Sequence, residues 1–248
     1  MEKRENINEL AAHLFRENSG KMVAVLSRLF GLKQIDIIHD IVQDTFEKAL
    51  ASWNVDNLPE NPAGWLMQVS KNKAVNRFKR ESKTTGFSRS VYLKHFEEGV
   101  ENEFDILLSP REIKDSQLRL LFTCCHPDFS QKNQIIITLN ILSGLGVPEI
   151  ANALLMKEEA VKKALSRSKA SLREMDNILQ THLVTQSEAR LKTVQTVLYL
   201  MFNEGYKTTR SSTGINDHLC YEAIRLAQLL DQSNAEPNAL IALMFFNL

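Results

Sequence analysis

Apolar residues recur at intervals of three and four along most of this 248-residue chain, and sustained alternation of apolar and polar residues is absent. Intervals of three and four are typical of amphipathic helices, whereas a strand alternates with a period of two. None of the prolines interrupts a helical pattern, and Pro62, Pro148 and Pro237 stand where helices would begin, a position that tolerates proline. The sequence therefore predicts an all-α protein with about ten helices.

Polar stretches separate these helical patterns into groups. The stretch after residue 80 is first rich in Ser, Thr and Gly and then acidic, which is typical of a linker. The last apolar pattern runs to Leu248 without a capping residue, so we expect the final helical segment to be incomplete. We predict two small helical domains over 1–82 and 112–176, a linker over 83–111, and a C-terminal helical extension over 187–248.

The charges of the chain are balanced in total but unevenly distributed. Thirty Lys and Arg residues balance thirty Asp and Glu residues, which would argue against nucleic-acid binding if the charges were mixed evenly. Residues 61–95, however, contain eight basic residues and one acidic residue, a net charge of +7. Residues 96–115 contain two basic and seven acidic residues, a net charge of −5. The basic segment keeps nucleic acid among the candidate ligands.

Other features exclude several classes of protein. The 44% apolar content can form a core, which excludes a disordered tail protein. The charged N-terminus does not resemble a signal peptide, and no apolar stretch approaches the ~20 residues of a membrane span. The adjacent Cys124 and Cys125 lack a second Cys/His pair at zinc spacing. We therefore predict a cytoplasmic protein with no metal, no cofactor, no catalytic residue and no enzyme activity.

The helix predicted over 34–52 has an apolar side and an acidic side. Ile35, Ile38, Val42, Phe46 and Ala49 share the apolar side and are expected to be buried. Like charges four residues apart destabilise a helix by a few tenths of a kcal/mol per pair, which favours a cationic partner for the acidic side. A solvated helix face is the alternative, and a metal or acid–base role is less favoured because no His or Cys joins the stripe. The acidic residues are Asp36, Asp40, Asp44 and Glu47.

The helix predicted over 62–80 is the basic one. Met67, Ala74 and Phe78 line its core side. A second side combines Trp65 with amides and cations, including Asn72, Lys73, Asn76 and Arg80. Cations neutralise phosphates, amides bind base edges, and an aromatic ring stacks on bases, so this side suits single-stranded or distorted nucleic acid. The alternatives are that Trp65 packs on a neighbouring helix and that the cations form a solvated face.

Residues 146–173 have the pattern of a helix-turn-helix. A short helix with Ile150, Ala151 and Leu154 on its core side is followed by a tight connection. The next helix, 158–173, has Val161 and Leu165 on its core side, and a polar and cationic surface opposite. This layout is typical of a recognition helix in the major groove, although many helical hairpins resemble it. The residues of that surface are Glu159, Lys162, Lys163, Ser166, Arg167 and Arg173.

Three segments together resemble a bacterial sigma factor of the extracytoplasmic-function (ECF) type in the sigma-70 family. They are DIVQDTFEKAL (40–50), NPAGWLMQVSKNKAVNRFKR (61–80) and the helix-turn-helix at 146–173. Three further segments resemble an ECF subgroup with an appended helical, tetratricopeptide-like C-terminal extension. They are LFTCCHP (121–127), LYLMFNEGY (198–206) and LCYEAIRLAQLL (219–230).

The resemblance implies a role for each candidate residue. Core RNA polymerase would be bound by Asp36, Asp40, Asp44 and Glu47. The −10 element of promoter DNA would be bound by Trp65, Lys71, Asn72, Lys73, Asn76, Arg77, Lys79 and Arg80. The −35 element would be bound by Glu159, Lys162, Lys163, Ser166, Arg167 and Arg173. The C-terminal extension would bind a regulatory protein or a second copy of the chain.

Sequence analysis thus favours a sigma factor that directs core RNA polymerase to promoters and starts transcription. One alternative is a one-component helix-turn-helix regulator with a C-terminal ligand or dimerisation domain, and another is a helical scaffold that binds only proteins. The acidic part of the linker is also expected to cover a basic surface in the free protein. Its residues are Glu97, Glu98, Glu101, Glu103 and Asp105.

Overall fold

The computed structural model describes residues 2–54, 57–85, 104, 106–175, 188–210, 217–230, 233 and 235–248. Within those ranges all the regular structure is helical, with ten α-helices and a short 3-10 helix at Leu32–Gln34. This confirms the predicted all-α fold. The helices are α1 (Glu2–Phe30), α2 (Ile35–Ser52), α3 (Pro62–Thr85), α4 (Pro110–Cys124), α5 (Gln131–Ile141), α6 (Val147–Ala153), α7 (Glu158–Glu174), α8 (Glu188–Arg210), α9 (Asp217–Ala227) and α10 (Ala235–Phe246).

The chain divides into two compact units, Met1–Ser116 and Gln117–Leu248. The division falls inside α4, five residues beyond the predicted end of the linker at residue 111. The first turns of α4 therefore belong to the first unit. The acidic linker residues that were expected to cover a basic surface lie outside the part of the chain that the structure describes; they are Glu97, Glu98, Glu101, Glu103 and Asp105.

The first unit is built on α1, α2 and α3, each of which packs against the other two. Gly31, with a φ of 85°, lets the chain turn between α1 and α2 in a conformation that other residues rarely adopt. The five apolar residues predicted to face inward from α2 are all buried, and so are Met67, Ala74 and Phe78 of α3. Phe78 contacts Phe30 of α1, with ring centroids 4.6 Å apart. The apolar sides predicted for α2 and α3 are confirmed.

Arg28, near the end of α1, binds the first turns of α4 within the first unit. Its Nη1 atom donates hydrogen bonds to Glu112 Oε2 at 2.8 Å, to Asp115 Oδ2 at 3.0 Å and to Ser116 Oγ at 3.3 Å. The guanidinium and both carboxylates are largely shielded from solvent, since none is more than 32% exposed. Partial burial strengthens such a charged cluster relative to one at the open surface.

The second unit contains the remaining helices and joins the C-terminal extension to the predicted helix-turn-helix. α8 packs against α9 and also contacts α5 and α6. Gly205 of α8 lies so close to α9 that a Cβ atom there would be 2.8 Å from the Sγ atom of Cys220. This close approach requires glycine. α10 completes the unit by packing on α8 and α9.

Candidate nucleic-acid interface

A groove with a volume of about 530 Å³ lies between α2 and α3 of the first unit. One side of this groove, which we call the acidic wall, consists of Asp40, Asp44 and Glu47 from α2. The opposite side, the basic wall, consists of Lys73, Asn76, Arg77 and Arg80 from α3. The sequence placed these two sets on separate helices for separate partners. The structure brings them together as the two walls of one charged groove.

The acidic wall results from the same periodicity that buries the apolar side of α2. Asp40, Asp44 and Glu47 are all exposed, and their spacings of four and three place them along one side of the helix. Gln43 also lines the groove and was missed by the sequence analysis. It lies three residues after Asp40 and four before Glu47, so the projection that identified the carboxylates also identifies Gln43.

Asp36, the remaining acidic candidate of α2, does not line the groove. It is half-buried and lies in the first turn of the helix. The unpaired N–H groups of a first turn give it a partial positive charge, which stabilises a carboxylate there. The structure therefore supplies a local reason for an acidic residue at position 36 that does not require a partner.

Lys73 connects the two walls. Its Nζ atom donates a hydrogen bond to the main-chain oxygen of Asp44 at 2.6 Å and lies 3.8 Å from the Oδ2 atom of the same residue. The Lys73 side chain is 31% exposed, whereas that of Asp44 is 63% exposed. In this structure the Lys73 ammonium is therefore held by the acidic helix and is not displayed fully to solvent.

Five further polar side chains of α3 are open to solvent. Asn72, Asn76, Arg77, Lys79 and Arg80 are all exposed. The Nε2 atom of Gln68 lies 3.5 Å from the Oδ1 atom of Asn72, one turn further along the helix. Amides and cations thus follow one another along the exposed side of α3, as the sequence predicted.

Lys71 has to be removed from the predicted DNA-binding set. It is only 8% exposed, and its Nζ atom lies 4.5 Å from the ring centroid of Phe104. Lys71 follows the buried Met67 by four residues and precedes the buried Ala74 by three, so it lies on the core side of α3. A ring face attracts an ammonium ion, which explains how Lys71 is accommodated there.

Trp65 packs on a neighbouring aromatic side chain. Its ring centroid is 5.3 Å from that of the buried Trp53, and the two rings meet edge to face at 61°. Trp65 itself is half-buried. The alternative interpretation, that Trp65 packs within the protein, therefore holds for part of its surface. Just before it, Asn61 Oδ1 accepts a hydrogen bond from Gly64 N at 2.9 Å at the start of α3.

In the second unit, α6 and α7 occupy the segment predicted as a helix-turn-helix and pack against each other. At the start of α6, a Glu149 side-chain oxygen accepts a hydrogen bond from the Gly146 N–H at 2.7 Å. Leu155, with a φ of 50°, forms the turn between the two helices. Ile150 and Ala151 are buried, but Leu154 is only half-buried. The connection runs from Leu154 to Lys157 and is longer than the predicted two residues, 156 and 157, because the first helix already ends at Ala153.

The outer side of α7 carries the predicted recognition residues. Its core side is formed by Val161, Leu165 and Leu172, which are buried as expected. Lys157 precedes the helix without a side-chain capping hydrogen bond. Arg173 is half-buried, and Lys162 Nζ lies 3.3 Å from Glu159 Oε1. The exposed candidates are Glu159, Lys162, Lys163, Ser166 and Arg167.

The adjacent cysteines are core residues of the second unit. Cys124 and Cys125 are fully buried, and burial raises the pKa of the Cys125 thiol to about 12. A protonated thiol is neither a nucleophile nor a metal ligand. Arg190 of α8, which the sequence analysis did not single out, donates a hydrogen bond to the main-chain oxygen of Phe122 nearby. No cluster of metal-ligating side chains occurs among the described residues.

No helix in the described part of the chain is both long and apolar enough to cross a membrane.

Comparisons with known proteins identify two segments of the chain. Residues 14–84 match the family model for Sigma-70 region 2, and residues 190–248 match a family of unknown function, DUF6596. An uncharacterized protein of Rhizobium meliloti (strain 1021) is 33% identical over 198 residues, which cover 80% of this chain and 47% of that protein. The chain thus spans about half the length of this curated relative. No solved structure matches.

The Sigma-70 region 2 match covers both helices that form the charged groove. The C-terminal match covers nearly all of α8 and all of α9 and α10, and it carries no functional description. Residues 14–84 are therefore similar to Sigma-70 region 2, and this similarity supports a sigma factor of the sigma-70 family.

Proposed function

We propose that this protein is an ECF-type sigma factor, a non-enzymatic subunit that binds core RNA polymerase and directs it to promoters. One observation carries the proposal: the Sigma-70 region 2 match contains a groove with exposed carboxylates on one wall and cations on the other. Core polymerase and promoter DNA differ in the charge they present to such a subunit. A region that binds both needs surfaces of both signs.

Core polymerase is proposed to contact the acidic wall. Asp40, Asp44 and Glu47 are exposed, so a cationic surface of the polymerase can approach them without unfolding any part of the unit. Complementary charge steers two proteins together and selects against wrong partners. Asp36 is left out of this contact because it lies away from the groove in the first turn of α2.

The exposed side of α3 is proposed to contact the −10 element. Lys79, Arg77 and Arg80 would neutralise phosphates, while Asn72 and Asn76 would bind base edges. Trp53 holds the ring of Trp65 in one orientation, and the solvent-exposed part of that ring would contact an unstacked base. Lys71 has no part in this surface, since Phe104 covers its ammonium.

The exposed side of α7 is proposed to contact the −35 element in the major groove. Lys162, Lys163 and Arg167 would hold phosphates or guanine edges, and Ser166 would bind either.

α8 packs against α5 and α6, so we propose that the C-terminal extension directly supports the helix-turn-helix. The C-terminal extension also exposes three apolar side chains, Leu243, Phe245 and Phe246. Such side chains are suited to a protein partner or a second copy of the chain. The protein would act in the cytoplasm, where core polymerase lies.

Pull-down of core RNA polymerase followed by run-off transcription tests this function. The wild-type protein should co-purify with core polymerase and should give a promoter-dependent transcript that core polymerase alone does not give. A polymerase that is retained but makes no transcript would contradict the promoter-recognition part of the proposal. Failure to retain polymerase would contradict the sigma-factor assignment itself.

A one-component helix-turn-helix regulator is the second candidate. The observation that favours it is the packing of α8 against α5 and α6, which would connect a C-terminal ligand domain to the DNA reader. Such a regulator would bind a specific duplex tightly without polymerase. Gel-shift titrations with and without core polymerase distinguish the two, because a sigma factor gains specific DNA binding only in the presence of core.

A further inference from the structure

The contact between Lys73 and Asp44 joins the two surfaces to which the proposed function gives different partners. Lys73 belongs to the basic wall, and its ammonium is occupied by the main-chain oxygen and the carboxylate of Asp44. Asp44 belongs to the acidic wall and is the more exposed member of the pair. The two residues are 29 positions apart in the chain, so the contact depends on how α2 and α3 pack.

We infer that Lys73 is a coupling residue: a cationic partner that binds Asp44 releases the Lys73 ammonium for a DNA phosphate. This inference rests on the proposed function, which supplies both ligands. Polymerase and Lys73 compete for one carboxylate, because a carboxylate between two cations shares its charge between them. Once the partner holds the Asp44 carboxylate, the ion pair at 3.8 Å weakens and only the hydrogen bond to the Asp44 main-chain oxygen holds the ammonium. A DNA phosphate then replaces that hydrogen bond, because the flexible four-carbon stem of Lys73 lets the ammonium turn outward.

The same geometry fixes the sign of the coupling. Coupling between two binding sites is reciprocal, so DNA that captures Lys73 must strengthen polymerase binding by the same factor by which polymerase strengthens DNA binding. Exposed ion pairs contribute little, and the upper part of their range corresponds to an expected factor of about two- to fivefold.

The substitution Lys73→Gln tests this inference because the two measured affinities should move in opposite directions. Without its internal competitor, Asp44 should bind core polymerase about two- to fivefold more tightly. The polymerase complex should bind a single-stranded −10 oligonucleotide two- to fivefold more weakly, because a phosphate contact is lost. Lys79→Gln is the matched control, since it removes the same charge from the same helix outside the groove. It should weaken DNA binding and leave core affinity unchanged.

A second pair of variants keeps the test decisive. In an Asp44→Asn background, adding Lys73→Gln should no longer change core affinity, because the contested carboxylate is absent. Circular dichroism and thermal unfolding of each variant establish that α2 and α3 still pack. If wild-type protein binds core polymerase but Lys73→Gln changes core affinity no more than Lys79→Gln does, the coupling is refuted while the sigma-factor function stands. If wild-type protein does not bind core polymerase, both proposals fail.

Discussion

The two basic helices, α3 and α7, differ in what surrounds their cations. On α3, Lys73 is bonded to an acidic neighbouring helix, and Lys71 is buried beneath an aromatic ring. On α7, Lys162, Lys163 and Arg167 project from an exposed side, and the carboxylates of this helix lie at its two ends. Similar composition thus yields a groove of mixed charge in one region and an open cationic surface in the other.

The difference teaches that the number of cations in a segment does not measure how many of them can reach DNA. The net charge of +7 over residues 61–95 predicts a strong phosphate-binding surface. The structure reduces that surface by covering Lys71 and by engaging Lys73. On α7, the number of cations is closer to the number that are exposed to solvent. We therefore expect α3 to depend on a partner for DNA binding more than α7 does.

Charge reversal in the acidic wall should produce the largest effect and tests whether the groove binds polymerase at all. Asp40→Lys with Glu47→Lys leaves the contact between Asp44 and Lys73 intact. Placing two cations against a cationic partner costs several kcal/mol, so core affinity should fall about 100-fold. Binding of core polymerase is measured by surface plasmon resonance or by competition with a labelled sigma factor.

The matched control for this reversal is Glu17→Lys with Glu60→Lys. Both residues are exposed, both lie in the first unit, and neither lines the groove. This pair changes the net charge by the same amount, so it should reduce core affinity by no more than about twofold. Equal losses in the two pairs would mean that core polymerase senses overall charge and not the acidic wall.

Neutralising α7 should give the next largest effect. Lys163→Gln with Arg167→Gln removes two exposed cations, so binding of the polymerase complex to a duplex containing the −35 element should weaken about tenfold. The slope of log affinity against log salt concentration should decrease by about two, because two phosphate contacts are lost. Fluorescence anisotropy at several salt concentrations measures both quantities.

Lys132→Gln with Lys192→Gln serves as the control for α7. Both lysines are exposed in the second unit, and they lie on α5 and α8. Their removal should leave the salt slope unchanged within about 0.5. A slope that decreases equally in both pairs would show that the duplex is attracted by the charge of the whole unit and is not read by α7.

The helical pattern predicted the local structure well because helix formation and burial follow spacing within one segment. The apolar residues of α2, from Ile35 to Ala49, are buried as the projection indicated, and so are Val161 and Leu165 of α7. The acidic and cationic sides of each helix also follow from spacing alone. These predictions needed no knowledge of which helices are neighbours.

The features that the sequence analysis did not find are contacts between distant segments. Phe104 covers Lys71 from 33 positions away, and Asp44 bonds to Lys73 from 29 positions away. Arg28 reaches Glu112 across 84 positions. A single sequence without structure does not show which helices pack together, so the shared groove could not be predicted. The spacing of Lys71 from Met67 and Ala74 does place it on the core side of α3, but only the structure shows that Phe104 lies against its ammonium.

The smallest expected effect is the difference between replacing the buried Lys71 of α3 and replacing the exposed Lys79. Lys79→Gln should weaken binding of the polymerase complex to a single-stranded −10 oligonucleotide about threefold, since one phosphate contact is lost. Lys71→Met removes the same charge at a buried position and keeps a side chain that packs against Phe104, so DNA affinity should stay within about 1.5-fold of wild type. Both affinities are measured by fluorescence anisotropy at one salt concentration. Equal losses for the two variants would mean that Phe104 leaves Lys71 when polymerase binds, and the exposed surface of α3 would then include the residue that the free protein covers.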